Sequence, residues 1–239
     1  MRNTAKVFAM AAVLALVLPV AAFALSPYSE DFESLNQADA GALGGAGWLV
    51  FANVFGPDWS YWYGYGVFPA PNGSGGFSNV AIGEGGAAQG QQQLVVFSDY
   101  NNTDHGVGAH IESLVFQEQA IAAGDIGETW VFDFQAKMGD LAGASTAVAF
   151  IKTLNPMAGY ATTNYITVDM TGAAATWSDY SLAIFIDGSL DGQLLQIGFQ
   201  NIAGSYEPSG VFYDNLSFYP SGPVAVEEAS WGSVKSLFK

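Results

Sequence analysis

The sequence predicts an all-β protein folded as a two-sheet antiparallel sandwich. Apolar residues occur in short runs that alternate with polar residues, and turns rich in glycine, asparagine, aspartate and serine separate these runs. Between the N-terminal apolar segment and the last residues of the chain, no long stretch has the periodicity of an amphipathic helix. Strands do not alternate with helices, so the pattern does not favour a parallel sheet.

The alternation places twelve candidate strands. In the clearest of them, at residues 129–137, every second residue is apolar, as expected for a strand with one buried face. Those residues are Trp130, Phe132, Phe134 and Ala136. The strands are predicted at residues 28–34, 48–53, 60–68, 77–82, 92–98, 109–118, 129–137, 145–153, 165–170, 180–187, 193–200 and 211–219. This many short strands with glycine-rich turns are typical of a two-sheet sandwich.

The N-terminal segment has the layout of a cleaved signal peptide. Two basic residues precede an apolar run over residues 7–20, and an Ala-Phe-Ala cleavage site follows at 22–24. The run is shorter than the roughly 20 residues that cross a bilayer, which disfavours the alternative of a membrane anchor. We therefore predict a signal peptide at 1–24, one sandwich domain at 25–220 and a linker with a short helix or tail at 221–239. The mature protein is expected to be secreted, extracellular or periplasmic, without membrane insertion.

The predicted tail carries a small apolar face. Trp231, Val234 and Phe238 share one side of a short helix. One interpretation is a frayed or docked terminal helix, and the other is a sorting or recognition element for a cell-surface or matrix partner.

The charge of the chain excludes several classes of partner. Removal of residues 1–24 leaves all 22 acidic residues but only four lysines, for a formal net charge of −18. Nucleic acids and anionic membrane surfaces require lysine and arginine for their phosphates, so we expect neither as a partner. The chain has no cysteine, which excludes disulfides, cysteine-based zinc sites and thiol catalysis.

No catalytic constellation is evident in the sequence. The two histidines, His105 and His110, lie outside any known motif, and the hydrolase, zinc-protease and dinucleotide signatures are missing. A glycosidase needs two carboxylates facing each other across a cleft, which a chain this acidic could supply by chance. We expect a protein without catalytic activity and keep a polysaccharide lyase or hydrolase on the same scaffold as an alternative.

The last predicted strand contains an aspartate in an apolar setting. Strict alternation puts Asp214 on one face with Phe212, Leu216 and Phe218. A carboxylate there needs a cation, several hydrogen-bond donors or a raised pKa, because burial of an unpaired charge is strongly unfavourable. Since basic residues are so few, a bound metal ion is the leading option.

A second acidic cluster, at residues 30–33, lies near the start of the mature chain. We predict that the first and last strands meet and that a structural Ca²⁺ lies between them, because Ca²⁺ prefers carboxylate and carbonyl oxygens. The side-chain ligands are expected to be Glu33 and Asp214, with Asp31 as a third candidate. A bulge or strand end would have to re-aim Glu33, which alternation places opposite Phe32. The alternative is a solvated acidic turn.

The third predicted strand is rich in aromatic residues, and alternation would align three tyrosines on one of its faces. Flat rings with polar tips on a rigid sheet can stack against the C–H face of a pyranose and bond its hydroxyls. The alternative is an aromatic core strand with a tyrosine edge. The candidate carbohydrate-binding residues are Trp59, Tyr61, Trp62, Tyr63 and Tyr65.

Taken in order, several short motifs resemble those of jelly-roll carbohydrate-binding modules, and the first of them is also similar to exported adhesin-type sandwich domains. They are Glu-Asp-Phe-Glu-Ser at 30–34, Gly-Trp at 47–48, the strand at 130–137, Trp-Ser-Asp-Tyr at 177–180 and Val-Phe-Tyr-Asp-Asn-Leu at 211–216. The resemblance implies a jelly-roll sandwich with a structural Ca²⁺ held through Glu33 and Asp214. It also implies glycan binding, with a structural or adhesive surface protein as the alternative.

Overall fold

The computed structural model describes residues 24–73 and 75–222. They form two antiparallel sheets of six strands each, so the predicted all-β antiparallel sandwich is confirmed. A short helix, α1 (Ala42–Gly45), precedes the second strand. The strands are β1 (Tyr28–Glu30), β2 (Leu49–Phe55), β3 (Tyr61–Pro69), β4 (Ser78–Ile82), β5 (Gln92–Val96), β6 (His110–Ala120), β7 (Thr129–Met138), β8 (Thr146–Asn155), β9 (Ala161–Asp169), β10 (Ser178–Phe185), β11 (Leu194–Ala203) and β12 (Val211–Pro220).

Eight consecutive strands, β5 to β12, follow the order of a jelly roll. In the first sheet β5, β12, β7 and β10 are neighbours, and in the second sheet β6, β11, β8 and β9 are neighbours. Every connection between these strands crosses from one sheet to the other, except the one that joins β8 and β9. This is the double-sheet jelly-roll arrangement that was predicted. The first four strands extend it: β2 and β3 lie beside β6, β4 lies beside β5, and β1 pairs with β12.

The space between the sheets is filled largely by aromatic rings. Phe199 of β11 stacks on Tyr213 of β12, with ring centroids 3.6 Å apart and planes at 16°. Trp48 also stacks on Phe199, with ring centroids 6.4 Å apart. The strand predicted most clearly, β7, contributes Phe132 and Phe134 to the same layer, as its alternation indicated. Stacked and edge-to-face rings of this kind add about 0.5–1.5 kcal/mol per pair beyond the burial of their area.

The last strand departs from strict alternation. The register of β12 against β7 shifts between Asp214 and Ser217, which inserts an extra residue into β12. As a result, Tyr213 and Leu216 both face the core although they are three positions apart. The prediction that Phe212 shares a face with Leu216 and Phe218 is therefore wrong: Phe212 is only partly buried and lies on the outer face of the first sheet.

The predicted meeting of the first and last strands is confirmed. β1 runs antiparallel to β12, with Tyr28 opposite Phe218 and Glu30 opposite Leu216. β1 is shorter than predicted because the chain turns immediately after it, where Phe32 adopts a φ of 59° and its ring enters the core. This strand end re-aims Glu33 to the surface.

Two predicted segments lie largely outside the described residues: the signal peptide at 1–24 and the tail at 221–239, with its Trp231–Phe238 helix. Within residues 24–73 and 75–222, no helix has the length and hydrophobicity needed to span a bilayer.

Candidate functional site

Asp214 lies in a gap along one edge of β12. β5 pairs with this edge over residues 211–213, and β1 pairs with it over 216–218. The carboxyl is fully buried; its Oδ1 accepts a 2.6 Å hydrogen bond from the Asn215 N–H, whereas no described residue bonds its Oδ2. Burial raises the pKa of Asp214 to about 7, against the lowering effect of the Asn215 N–H. Neighbouring negative charges raise it further, in the order Glu33, Asp31, Glu30.

The predicted metal ligands lie in the same neighbourhood, since the charges of Glu33 and Asp31 both act on Asp214. A surface depression of about 400 Å³ opens here, lined by Glu30, Asp31 and Asn215 among others. Asp31 and Glu33 are both exposed. Glu33 also has a structural task, because its Oε1 accepts hydrogen bonds of 2.7 and 2.6 Å from the backbone N–H groups of Gln91 and Gln92, where β5 begins.

The turn after β1 gathers backbone oxygens as well. The carbonyls of Phe32, Glu33 and Leu35 all lie within 3.1 Å of the Gln92 side-chain nitrogen. The Phe32 carbonyl also accepts a 3.2 Å hydrogen bond from the Leu35 N–H, so it is bonded within the turn as well. No three acidic or histidine side chains among the described residues converge tightly enough to form a metal cluster by themselves. A cation here would thus depend on these carbonyls in addition to the carboxylates.

The predicted aromatic strip lies on β3, which forms one edge of the second sheet, except for Trp59, which lies in the turn before β3 and stacks on His110 with ring centroids 4.0 Å apart. Three of its rings are largely accessible: Trp59 is 55% exposed, Tyr61 61% and Trp62 43%. A register shift between Val54 and Phe55 of the neighbouring β2 separates Tyr61 from the other two tyrosines, so the three do not share one face as alternation suggested.

Tyr63 and Tyr65 turn their hydroxyls toward the loop after β5. Tyr63 donates a 2.6 Å hydrogen bond to Asp104, and Tyr65 donates to the buried carboxylate of Asp99. Asn102 donates from its side chain to both tyrosine oxygens. Burial, followed by the bond to Asp99, raises the pKa of Tyr65. These two hydroxyls therefore hold the loop in place.

The outer face of the second sheet carries a trough of about 610 Å³ that sequence analysis missed. We call it the trough; it receives side chains from all six strands of that sheet or the turns beside them. Its central residues are Phe51 of β2, Phe116 and Glu118 of β6, Lys152 of β8, Gln196 of β11 and Tyr160 before β9. Phe116, Leu114 and Phe150 form a separate apolar cluster on this face, with Phe51 packed against it.

The end of the trough at β3 is open because glycines occupy the outward positions of that strand. Gly64 pairs with Asn53 and Gly66 pairs with Phe51. A Cβ added at Gly66, where φ is 114°, would lie 3.0 Å from Phe51 Cδ2. A larger residue at Gly66 would be strained and would cover the Phe51 ring, which is now accessible from the edge of the sheet.

Polar groups lie along the centre of the trough. Gln196 is buried; its nitrogen donates a 2.7 Å hydrogen bond to Glu118 Oε2, and no described residue bonds its Oε1. Lys152 lies opposite Gln196 in the sheet, with its Nζ 5.2 Å from the centre of the Phe150 ring. Burial lowers the pKa of Lys152, and the charges of Glu112 and Glu118 partly offset this. No described carboxylate lies within 4 Å of the Lys152 ammonium.

The carboxylates of this face are widely separated. Glu112 and Glu118 are six residues apart on the single strand β6, a span of about 20 Å for an extended chain. Glycosidases place their two catalytic carboxyls about 5–9.5 Å apart. Of these two glutamates only Glu118 lines the trough, and the two carboxylates of this face lie too far apart for a glycosidase pair. The trough therefore offers shaped apolar surface and hydrogen-bonding groups.

No protein-family model matches the chain, and no curated protein matches it. Similar solved structures are mostly carbohydrate-binding modules. The C-terminal family 22 module of Clostridium thermocellum Xyn10B is 15% identical, with a TM-score of 0.41 over 82% of this chain and 94% of that chain. A family 16 module is 10% identical, with a TM-score of 0.40 over 61% of this chain and 86% of that chain.

The enzymatically active domain of tailspike protein 4 from bacteriophage CBA120 is also similar. It is 14% identical, with a TM-score of 0.45, and the match covers 78% of this chain but only 21% of that chain. The jelly-roll assignment of this chain rests on its own strand order. The predicted resemblance is confirmed to the extent that the similar structures are mostly carbohydrate-binding modules.

The buried carboxyl of Asp214 predicts a pH dependence of stability in the absence of divalent metal. Between the ordinary pKa of 3.8 and the folded value of about 7, the folded state binds more protons at this group than the unfolded state does. The free energy of unfolding should therefore fall as the pH rises from about 4 to 7. Urea unfolding in a chelator at several pH values checks this, with Asp214→Asn as the comparison. An equal slope in the variant would assign the dependence to other groups.

Proposed function

We propose that this protein is a non-catalytic glycan-binding sandwich whose main site is the trough. One observation carries this proposal: buried polar groups without a protein partner lie beside accessible aromatic rings in a preformed cleft. The Gln196 Oε1 atom and the Lys152 ammonium can bond sugar hydroxyls, while Phe51 offers a ring to the C–H face of a pyranose. Tyr160, which is 61% exposed, offers a second ring at the other end.

The exposed part of the predicted aromatic strip fits the same function. Tyr61 and Trp62 lie on the edge strand β3, and Trp59 lies in the turn before it. The same strand lines one end of the trough through Gly66 and Val67. We propose that these three rings extend the binding surface for a longer glycan. In this proposal Tyr63 and Tyr65 support the site from behind, because their hydroxyls are bonded to Asp104 and Asp99.

We also propose that a structural Ca²⁺ lies in the gap beside Asp214. Three observations support this ion: no described residue bonds the buried Oδ2 of Asp214, the charges of Asp31 and Glu33 act on Asp214, and the turn after β1 carries several carbonyl oxygens. Asp214 would be the central ligand, with Asp31, Glu33 and backbone carbonyls completing the shell. The ion would neutralise Asp214 and join β1, β5 and β12 at one point.

We also propose that the protein is exported to a secreted, extracellular or periplasmic location, because residues 1–24 have the layout of a signal peptide. The alternative of a structural or adhesive surface protein depends on the tail at 221–239, of which only residues 221 and 222 are described.

Glycan binding in the trough can be tested by affinity electrophoresis in gels that contain xylan, mixed-linkage β-glucan, galactan or mannan. The protein should be retarded by at least one of them, and Phe51→Ala with Tyr160→Ala should weaken the affinity at least tenfold, because about 1–3 kcal/mol of contact is lost per pocket-filling group. Phe185→Ala is the matched control, since that ring is 57% exposed on β10, away from the trough. Absence of retardation in every gel would refute the proposal.

The calcium proposal predicts stabilisation by added Ca²⁺. At about one hundred times the Kd, the ion should contribute about 2.7 kcal/mol to the free energy of unfolding. The rise in Tm should be larger at pH 8 than at pH 5, because protons compete for a carboxyl with a pKa near 7. Asp214→Asn should abolish the rise while keeping the acceptor for the Asn215 N–H. An unchanged Ca²⁺ response in this variant would exclude Asp214 as a ligand.

Export is checked by expressing the full chain in a bacterial host and sequencing the N-terminus of the exported product. Cleavage should occur after Ala24, and Arg2→Glu with Lys6→Glu should retain the protein in the cytoplasm because the positive n-region is lost. Retention of the uncleaved parent chain in the cytoplasm would contradict the assignment.

A further inference from the structure

A second cleft, of about 670 Å³, lies on the outer face of the first sheet, opposite the trough. Phe212 of β12 lies at its centre and pairs with Lys137 of β7 on one side and with Val95 of β5 on the other. Asn79 of β4 continues this cross-strand row beyond Val95. We call it the Phe212 cleft. Its central ring is available only because the bulge in β12 turns Phe212 away from the core.

One wall of the Phe212 cleft is rigid. The Lys137 ammonium forms a 2.8 Å ion pair with Glu84 Oε2 and donates a 2.8 Å hydrogen bond to the Glu84 carbonyl. The same ammonium lies 5.5 Å from the centre of the Phe212 ring and 5.7 Å from that of Trp177. Trp177 donates from Nε1 to the Glu84 carbonyl at 3.0 Å. Because these contacts already order the side chains, a ligand would bind without ordering them again.

The other wall is also ordered. Phe97 and Tyr100 stack with ring centroids 5.4 Å apart, and the hydroxyls of Tyr100 and Ser209 share a 2.6 Å hydrogen bond. The exposed carboxylate of Asp140 lies at the rim and accepts a 3.1 Å hydrogen bond from the Gly210 N–H. The cleft thus combines half-buried aromatic rings with a polar rim of both charge signs.

Each of the two clefts contains one lysine. The described residues contain two lysines and no arginine, and these are Lys137 in the Phe212 cleft and Lys152 in the trough. Each ammonium lies within 6 Å of an aromatic ring centre, the distance at which cation–π attraction acts. In a chain with 22 acidic residues, both described cations lie in clefts on opposite faces of the sandwich.

The chemistry of the Phe212 cleft indicates a neutral, hydroxyl-rich ligand with an apolar face. Glu84 neutralises the Lys137 charge, and Asp140 adds a negative charge at the rim, so phosphates and acidic sugars are disfavoured. A pyranose can place its C–H face on the Phe212 ring while its hydroxyls bond Asn79 and Asp140.

We propose that the Phe212 cleft is a second glycan-binding site, selective for neutral pyranosides, so that one sandwich holds two glycan chains on opposite faces. The trough and the Phe212 cleft are separated by both sheets, which lie about 10 Å apart. One linear chain segment therefore does not fill both, and the protein acts as a cross-link between two glycan chains, with the gain in avidity that two tethered sites provide.

Isothermal titration with neutral hexasaccharides (cellohexaose, xylohexaose and mannohexaose) tests this inference, with polygalacturonate oligomers as the acidic comparison. The parent protein should bind two neutral hexasaccharides per chain. The trough variant, Phe51→Ala with Tyr160→Ala, should still bind one. Adding Ala175→Arg, which fills the mouth of the Phe212 cleft from an exposed position and removes no contact, should abolish the remaining binding.

Two further variants keep the outcome interpretable. Added to the trough variant, Phe212→Ala should weaken the binding of the one remaining hexasaccharide at least tenfold. Phe185→Ala, on an exposed ring of the same sheet, should leave that binding unchanged. Thermal unfolding verifies that each variant is folded. Binding of one hexasaccharide by the parent and of none by the trough variant would overturn the inference and leave the proposed function intact. Unchanged binding in Ala175→Arg and Phe212→Ala would also overturn it. Loss of all binding in the cleft variants of the parent protein would assign glycan binding to the Phe212 cleft alone, which would refute both the trough and the cross-link.

Discussion

The structure depends on the layer of stacked rings between the two sheets. Phe199 of the second sheet and Tyr213 of the first lie 3.6 Å apart, and Trp48, Phe132 and Phe134 surround them. Removal of such a buried ring costs about 3–5 kcal/mol, a large share of the stability of one domain. This layer covers the inner faces of both sheets, and no disulfide assists it. The core therefore does not require the side chains on the outer faces. Clefts can form there without weakening the core.

Much of this fold could be predicted from alternation alone. In β7, Trp130 and Phe132 face inward and the residues between them face outward, because a regular strand changes sides at every residue. Alternation alone assigns the wrong faces to residues of β12. A bulge adds one residue between Asp214 and Ser217, and every assignment on the far side of it changes face. The local mark of the bulge is Asn215, whose φ is 48°, a conformation that asparagine tolerates better than most residues. Alternation does not register such a mark, so it places Phe212 in the core.

The candidate sites were predictable to different extents. Asp214 and the acids at 30–33 could be joined from sequence, since the two acidic motifs lie at opposite ends of one domain and the strands that carry them pair. The trough could not be found in this way, because its side chains come from six strands whose order depends on sheet-to-sheet crossings. A weak signal was present in β8, where the outward positions hold Phe150 and Lys152 in place of small polar residues.

The gap beside Asp214 and the Phe212 cleft share one piece of backbone. Asp214 and Phe212 are two residues apart, and the bulge that begins at Asp214 turns Phe212 outward. A charged Asp214, whose Oδ2 no described residue bonds, would favour a local rearrangement that exposes it to water, and such a rearrangement would move the strand that presents the Phe212 ring. Neutralisation of Asp214 by a proton would therefore stabilise the bulge, and the proposed divalent ion would act in the same direction. The irregular position in β12 thus lies between the acidic gap and the Phe212 cleft, and both depend on the backbone there.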